Sequence, residues 1–206
     1  QQLALEAGWN LVSSFIQTEN MSIEAIMEPI LSQVIIVKDN SGLAYLPDFG
    51  FNGIGDWDNT QGYQLKLYQE AVIDMTGVVV EPEQTPINLM EGWNMIAYLR
   101  SEPASVDAIF DAFTSDIIIV KDVQGMAYLP EWEFNGIGDM LAGQGYQIKL
   151  YASHILTYNA NDDEYRMAHT ASVDNTPKSV DFDKNTGSNM HLVVPESAWN
   201  IPVSSK

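Results

Sequence analysis

The chain has 206 residues, with 9 Lys+Arg against 28 Asp+Glu, 46% hydrophobic residues and no Cys. A formal net charge of -19 excludes the basic surface that displaces counterions from nucleic acid, and the Lys/Arg clusters that seat on anionic membranes. The missing Cys rules out disulfides and thiolate chemistry, and the longest apolar runs (34–37, 78–80 and 117–120) fall far short of the roughly 20 residues that span a bilayer.

The length suits one or two domains. The opening Gln1-Gln2 has no basic region or apolar stretch of the signal-peptide kind, and we expect a mature segment or a piece of a longer polypeptide. The acidity is compatible with an extracellular setting.

An internal repeat organises everything else. Ile35-Ile36-Val37-Lys38-Asp39 returns as Ile118-Ile119-Val120-Lys121-Asp122, and Ala44-Tyr45-Leu46-Pro47 as Ala127-Tyr128-Leu129-Pro130. Phe51-Asn52-Gly53-Ile54-Gly55-Asp56 returns as Phe134-Asn135-Gly136-Ile137-Gly138-Asp139, and Gln61-Gly62-Tyr63-Gln64 as Gln144-Gly145-Tyr146-Gln147. The offset is constant (121 − 38 = 83), whereas Gly8-Trp9-Asn10 matches Gly92-Trp93-Asn94 at 94 − 10 = 84. About two-thirds of the positions from Ile35 to Tyr68 are identical to their counterparts, which establishes a tandem duplication.

In chain order, Gly-Trp-Asn leads into an apolar strand at 11–16 or 95–99. A short amphipathic helix follows, capped by Ser22 or Ser105, with an acidic first turn at Glu24 or Asp107. Its apolar stripe is Ile23, Ile26, Met27 and Ile30, or Val106, Ile109, Phe110 and Phe113. Pro29 is expected to end or bend the first helix early, while Ala112 lets the second run on. The β-branched runs 34–37 and 117–120 read as buried strands, Asp39 to Gly42 and Asp122 to Gly125 as tight hairpin turns, and Ala-Tyr-Leu-Pro as the return strand stopped by Pro. Strands 63–68 and 146–151 alternate, which places Lys66 and Lys149 on a polar face as solvated or weakly paired charges. A last strand is expected at 71–75, running on to 80, and at 154–158.

The expected fold class is therefore α+β, as two tandem β-rich modules, each β-α-β-β-β-β. Module one covers 3–88 and module two 89–160. Residues 161–189, rich in Asp, Asn, Ser and Thr, read as a linker or irregular segment. Residues 190–206 start a further β module: Glu196-Ser197-Ala198-Trp199-Asn200 echoes Glu6-Ala7-Gly8-Trp9-Asn10, so a third copy and a different β domain are both open.

The repeated phrases resemble a repeat module of large secreted and cell-surface proteins of the Bacteroidota, commonly exported by type IX secretion. The likeness spans about residues 5–158, in two copies. It implies a non-enzymatic extracellular module, often beside adhesion-type domains, and it transfers no catalytic residues.

No catalytic set emerges from the residues themselves. His154 and His169 would have Ala71 and Pro86 as repeat mates, and with His191 they share no i, i+3 or i+4 spacing suited to zinc. The Gly-Ile-Gly phrases lack the third glycine of a dinucleotide loop and read as turns needing positive φ. Asp56, Asp58 and Asn59 resemble half of a calcium loop, which makes calcium the one cofactor to consider, and Asn161 to Glu164 is a second oxygen-rich spot. The remaining hint is aromatic. Tyr45, Trp57 and Tyr63, with Tyr128, Trp132 and Tyr146, are candidate ligand-binding rings at the loop ends, able to stack on sugars or anchor a protein. Trp57 and Trp132 are expected to be the exposed ones, because neither has a Trp mate.

The expectation is a non-enzymatic, extracellular or cell-surface, structural or adhesion-type tandem module. The alternative is a carbohydrate-binding module using the end-loop aromatics, with calcium assisting. Partners are other domains of the same polypeptide, surface proteins or glycans, with no nucleic acid and no membrane insertion.

Overall fold

The computed structural model describes residues 1–161. The expected linker beyond Asn161 and the further β module at 190–206 lie outside the described residues. Among the described residues the fold is β-rich: two five-stranded antiparallel sheets and four two-stranded ones accompany two α-helices of five residues each.

Both copies use one plan. In the first sheet Gly8–Val12 is the edge strand, followed by Tyr63–Leu67, Val34–Lys38, Ala44–Leu46 and Phe51–Asn52. The second repeats the order with Gly92–Ala97, Gly145–Leu150, Ile117–Lys121, Ala127–Leu129 and Phe134–Asn135. A β-bulge interrupts the same strand in both, between Val34 and Ile36 and between Ile117 and Ile119. Strand Gln2–Leu5 pairs with Ala71–Asp74, and Ile87–Leu89 with His154–Leu156. The last pairing puts the first strand of the second copy across the expected boundary at 88–89.

The helix lies under the sheet, and its apolar stripe meets the sheet's inward face. Ile23, Ile26 and Met27 join Val34, Val37, Tyr63, Leu65 and Leu67 in one core; Val106 and Phe110 join Val120, Tyr146, Ile148 and Leu150 in the other. The Ser22 hydroxyl caps the first helix by accepting from the Ala25 N–H. The expected difference in helix length is corrected: Ile23–Met27 and Val106–Phe110 are equally long, and each gives way to a 3-10 segment, Glu28–Gln33 or Asp111–Asp116. Phe113 breaks the helical path at φ -142°, and the Thr114 hydroxyl donates back to the Phe110 carbonyl. The descent into the following strand, rather than Pro29, decides where the helix stops.

Gly-Trp-Asn is part of the strand, not its lead-in. Gly8 and Gly92 adopt φ of 91° and 89°. The buried Asn10 amide spans the backbone of Glu6, accepting from its N–H at 2.9 Å and donating to its carbonyl at 2.8 Å. Asn94 does the same to Met90 at 2.9 and 2.8 Å. Asn therefore closes the bend that glycine opens, and the Trp between them points outward.

The two copies join about a pseudo-two-fold axis. The outer side of each edge strand meets the other copy: Val12 bridges Gln144, and Ile96, the equivalent of Val12, bridges Gln61, the equivalent of Gln144. Ser13 N–H donates to the Gly143 carbonyl at 3.0 Å, and Ala97 N–H to the Thr60 carbonyl at 3.4 Å. On the axis Gly62 and Gly145 touch. A Cβ on Gly62 would come within 2.9 Å of the Ile96 carbonyl oxygen, and one on Gly145 within 2.9 Å of the Val12 carbonyl oxygen. The interface thus hides two sheet edges that would otherwise present unpaired backbone groups.

Gly62→Ala and Gly145→Ala are each expected to lower stability by about 1–3 kcal/mol, because backbone rather than a flexible side chain must yield. Gly55→Val should cost about 1 kcal/mol or more for a different reason: Gly55 stands at φ +80° with open space around it. Denaturant midpoints of the three variants check both statements.

Candidate binding surface

The aromatic side chains singled out from the sequence divide sharply. Tyr45, Trp57, Tyr63, Tyr128 and Tyr146 are buried core rings, while Trp132 is 71% exposed. The expectation that Trp57 is exposed is corrected: it is 3% exposed and stacks on Tyr63 with ring centroids 4.0 Å apart. Its repeat mate Met140 is equally buried, so Trp and Met are two plugs for one hole in the core. The shared Tyr of Gln-Gly-Tyr-Gln has an equally structural role. Its hydroxyl accepts the backbone N–H of Asp58 at 2.7 Å in the first copy and of Leu141 at 2.8 Å in the second.

Two of the calcium candidates spend their side chains on other contacts. Asp58 Oδ1 accepts from the Thr60 N–H and hydroxyl, each at 2.8 Å, while Asn59 Nδ2 donates to the carbonyls of Ser14 and Ile16 at 2.8 and 3.0 Å. Asp56 pairs with Ser22 through an isolated bridge of the backbone, not through its carboxylate. Among the described residues no group of three or more His, Asp or Glu side chains is placed to hold a metal ion.

What the folding brings together is a different set. On the outward face of the first sheet Trp9 lies directly opposite Lys66. The Lys66 ammonium sits 5.4 Å from the Trp9 ring centroid, and Lys38, two strands away from Trp9, reaches the same ring at 5.5 Å. The second copy repeats this around Trp93, with Lys121 at 4.6 Å and Lys149 at 5.7 Å. Trp9 and Trp93 are 47% and 50% exposed. Strand register continues each row across the sheet: Lys66 opposes Ile36, and Leu46 opposes Phe51. Every one of these side chains is identical in the second copy: Trp93, Lys121, Lys149, Ile119, Leu129 and Phe134.

The charge distribution sharpens the picture. Residues 1–161 hold five basic side chains, Lys38, Lys66, Arg100, Lys121 and Lys149, and four of them stand over the two Trp rings. Each such contact stabilises by about 0.5–1 kcal/mol at an exposed site, too little to hold a fold. In a chain of net charge -19 they make two small cationic, aromatic platforms on an otherwise acidic protein. The alternation places Lys66 and Lys149 on the outward face but misses Lys38, Lys121 and the Trp. The signal was present: Gly-Trp-Asn opens a strand in both copies, and alternation from the buried Asn turns the Trp out.

A cleft of about 520 Å³ lies beside Trp9, between the first copy's edge strand and loops of the second copy. Gln2, Glu6, Val123, Gln124 and Gln144 line it with Trp9. On the other side of the pseudo-two-fold axis the corresponding gap is spanned by a side chain: Asn40 Oδ1 accepts from the Met95 N–H at 2.6 Å, and Asn40 N–H donates to Gln61 Oε1 at 3.0 Å. Val123, the equivalent of Asn40, has no polar side-chain atom with which to do the same.

Two predictions follow the buried rings. Trp57→Ala should destabilise by about 3–5 kcal/mol through the cavity it leaves, whereas Trp57→Met should cost far less, because the second copy fills that site with Met140; chemical denaturation distinguishes them. Burial also pushes the Tyr146 phenol up to about 12, and raises Tyr63, Tyr98 and Tyr158 as well. Unfolded tyrosine ionises near about 10, so this stability is whole below that pH and is lost as pH rises through the raised folded values. The melting temperature is expected to hold up to about pH 10 and then fall steeply towards pH 12, with tyrosinate absorbance at the transition.

Compared with known proteins, the chain matches no family model, no curated protein and no solved structure.

Proposed function

We propose that the chain is a non-enzymatic, extracellular, structural and adhesion-type tandem module of a larger surface or secreted polypeptide, each copy an α+β unit. The observation that supports this is the duplicated outward face. Core residues recur because both copies must fold. Trp, two Lys, Ile, Leu and Phe recur where packing does not demand them, while neighbouring surface positions differ: Asp48 against Glu131, Gly50 against Glu133 and Ser41 against Gln124. A shared aromatic-cationic face is recognition chemistry, since a flat ring offers stacking area and fixed ammonium groups offer charge. Two such faces in one compact unit favour a repetitive surface, where the second contact forms at high effective concentration. The extracellular setting rests on the acidity and on the resemblance of the repeat to cell-surface modules.

A second reading, carbohydrate binding through the end-loop aromatics, is favoured by one observation. Phe49 and Trp132 occupy equivalent tips after Pro47 and Pro130, and they are 82% and 71% exposed.

Retention of the full chain on immobilised polysaccharides and on purified bacterial surface material tests both. The Trp9→Ala/Trp93→Ala double variant should melt like the parent and lose at least tenfold in retention. Loss with Trp132→Ala instead would transfer the function to the tips. A parent chain retained by none of these materials would defeat the adhesion reading.

A further inference from the structure

We propose that the cleft beside Trp9 binds a neutral saccharide, a sugar chain recognised by its hydroxyl groups and by one flat ring face. The proposal deepens the adhesion reading above, giving it a ligand class and one asymmetric site. The lining decides the class. Trp9 is half exposed and forms one wall, and an indole offers a flat surface to the C–H face of a pyranose. Lys38 and Lys66 touch the Trp9 ring but do not line the cleft, whose one charged lining group is the Glu6 carboxylate. A carboxylate repels an anionic sugar and accepts from hydroxyl groups. The Glu6 carboxylate and the Gln124 amide bond to no other described residue, and the Gln144 side chain uses only its Oε1, as acceptor from the Tyr146 hydroxyl at 3.1 Å. Sugar hydroxyls donate and accept at once, so amides beside one carboxylate match them where a cluster of cations would not. At about 520 Å³ the cleft is of the size that takes a small ligand.

Divergence between the copies supplies a second, independent observation. The duplication builds the same gap twice and in the same register: Met95 opposes Gln147, and Leu11 opposes Gln64. On one side of the axis the outward Met95 N–H donates to Asn40 Oδ1 at 2.6 Å, which spans the gap. On the other side Val123 stands in place of Asn40, so the Leu11 N–H lacks that acceptor, and Leu11 lines the cleft. A backbone donor on a sheet edge is fixed in direction. A sugar oxygen placed there restores the bond that Asn40 makes on the opposite side.

The test is titration of the full chain with the trisaccharides of glucose, galactose, mannose and N-acetylglucosamine, and with that of galacturonic acid, followed by calorimetry and amide NMR shifts. At least one neutral sugar should bind at millimolar or better affinity, with shifts at Trp9, Leu11, Gln124 and Gln144, and the acidic one roughly tenfold or more weakly. Gln124→Ala and Val123→Asn should each weaken binding roughly tenfold or more at unchanged melting temperature. Both lie off the duplicated Trp and Lys face, and Val123→Asn adds the bridge that the other side of the axis already tolerates. Glu83→Gln, outside the cleft, both Trp faces and the loop tips, should bind as the parent does. Failure of all four neutral sugars to bind overturns the proposal, as does equal or tighter binding of the acidic one. Shifts gathered at Trp93 or at Phe49 and Trp132 instead of the cleft overturn it too, as do Gln124→Ala and Val123→Asn variants that bind like the parent. The two readings fail separately. Retention on bacterial surface material with no trisaccharide bound removes the cleft and leaves the duplicated face; a trisaccharide bound by a chain that no surface material retains removes the adhesion reading and leaves the cleft.

Discussion

The architecture depends on one close approach, the meeting of Gly62 and Gly145 on the pseudo-two-fold axis. Each residue stands where a strand of its own copy begins and the edge strand of the other copy passes, with a carbonyl oxygen 2.9 Å from where a Cβ would stand. Hydrogen bonds such as Ser13 to Gly143 and Ala97 to Thr60 form only because the two backbones come this near. The consequence is energetic as well as geometric. A module of about 80 residues buries a modest core, and its edge strand presents unpaired backbone groups to solvent. Pairing the two copies satisfies those groups and removes both edges together.

Within each copy, the shared phrases resolve into distinct physical duties. Glycine at the start of Gly-Trp-Asn takes a positive φ, and the Asn amide closes the resulting bend on the backbone four residues earlier. Tyr63 and Tyr146 fill the core and spend their hydroxyls on a loop N–H. Asn52 and Asn135 use Oδ1 to accept the N–H groups of Gly55 and Gly138, which holds the Gly-Ile-Gly turn. These residues recur because the same strained or buried backbone recurs.

What remains after those duties is the outward face. Trp9 and Trp93 stand about half exposed with two lysines over each ring, and both copies keep them. The sites that differ between copies carry the other kind of information. Trp57 against Met140 is a change of plug, whereas Asn40 against Val123 changes how a loop meets the neighbouring copy. Symmetry supplies two equivalent faces, and divergence at the axis makes their surroundings unequal.

Periodicity, turn chemistry and the repeat itself determined a good deal: a β-rich chain built twice, the short helix with its apolar stripe, the Ser22 cap of the first copy though not the one expected at Ser105, the hairpin turns at Asp39 and Asp122, and the outward placing of Lys66 and Lys149. Those features are local, set by backbone preference and by a two- or four-residue rhythm. The tertiary structure alone decided the rest. Trp57 reads in sequence as a solitary loop aromatic, and only the stack on Tyr63 shows that it is core. Ala112 is a better helix former than Pro29, yet both helices end at the same point, because the turn into the next strand outweighs a single propensity. The docking of the copies and the cleft at Trp9 depend on contacts between residues 55 or more positions apart, such as Val12 with Gln144 and Met95 with Asn40. No local pattern encodes such a meeting, since the glycines that permit it look like any other turn glycine until the opposing carbonyl oxygen is in place.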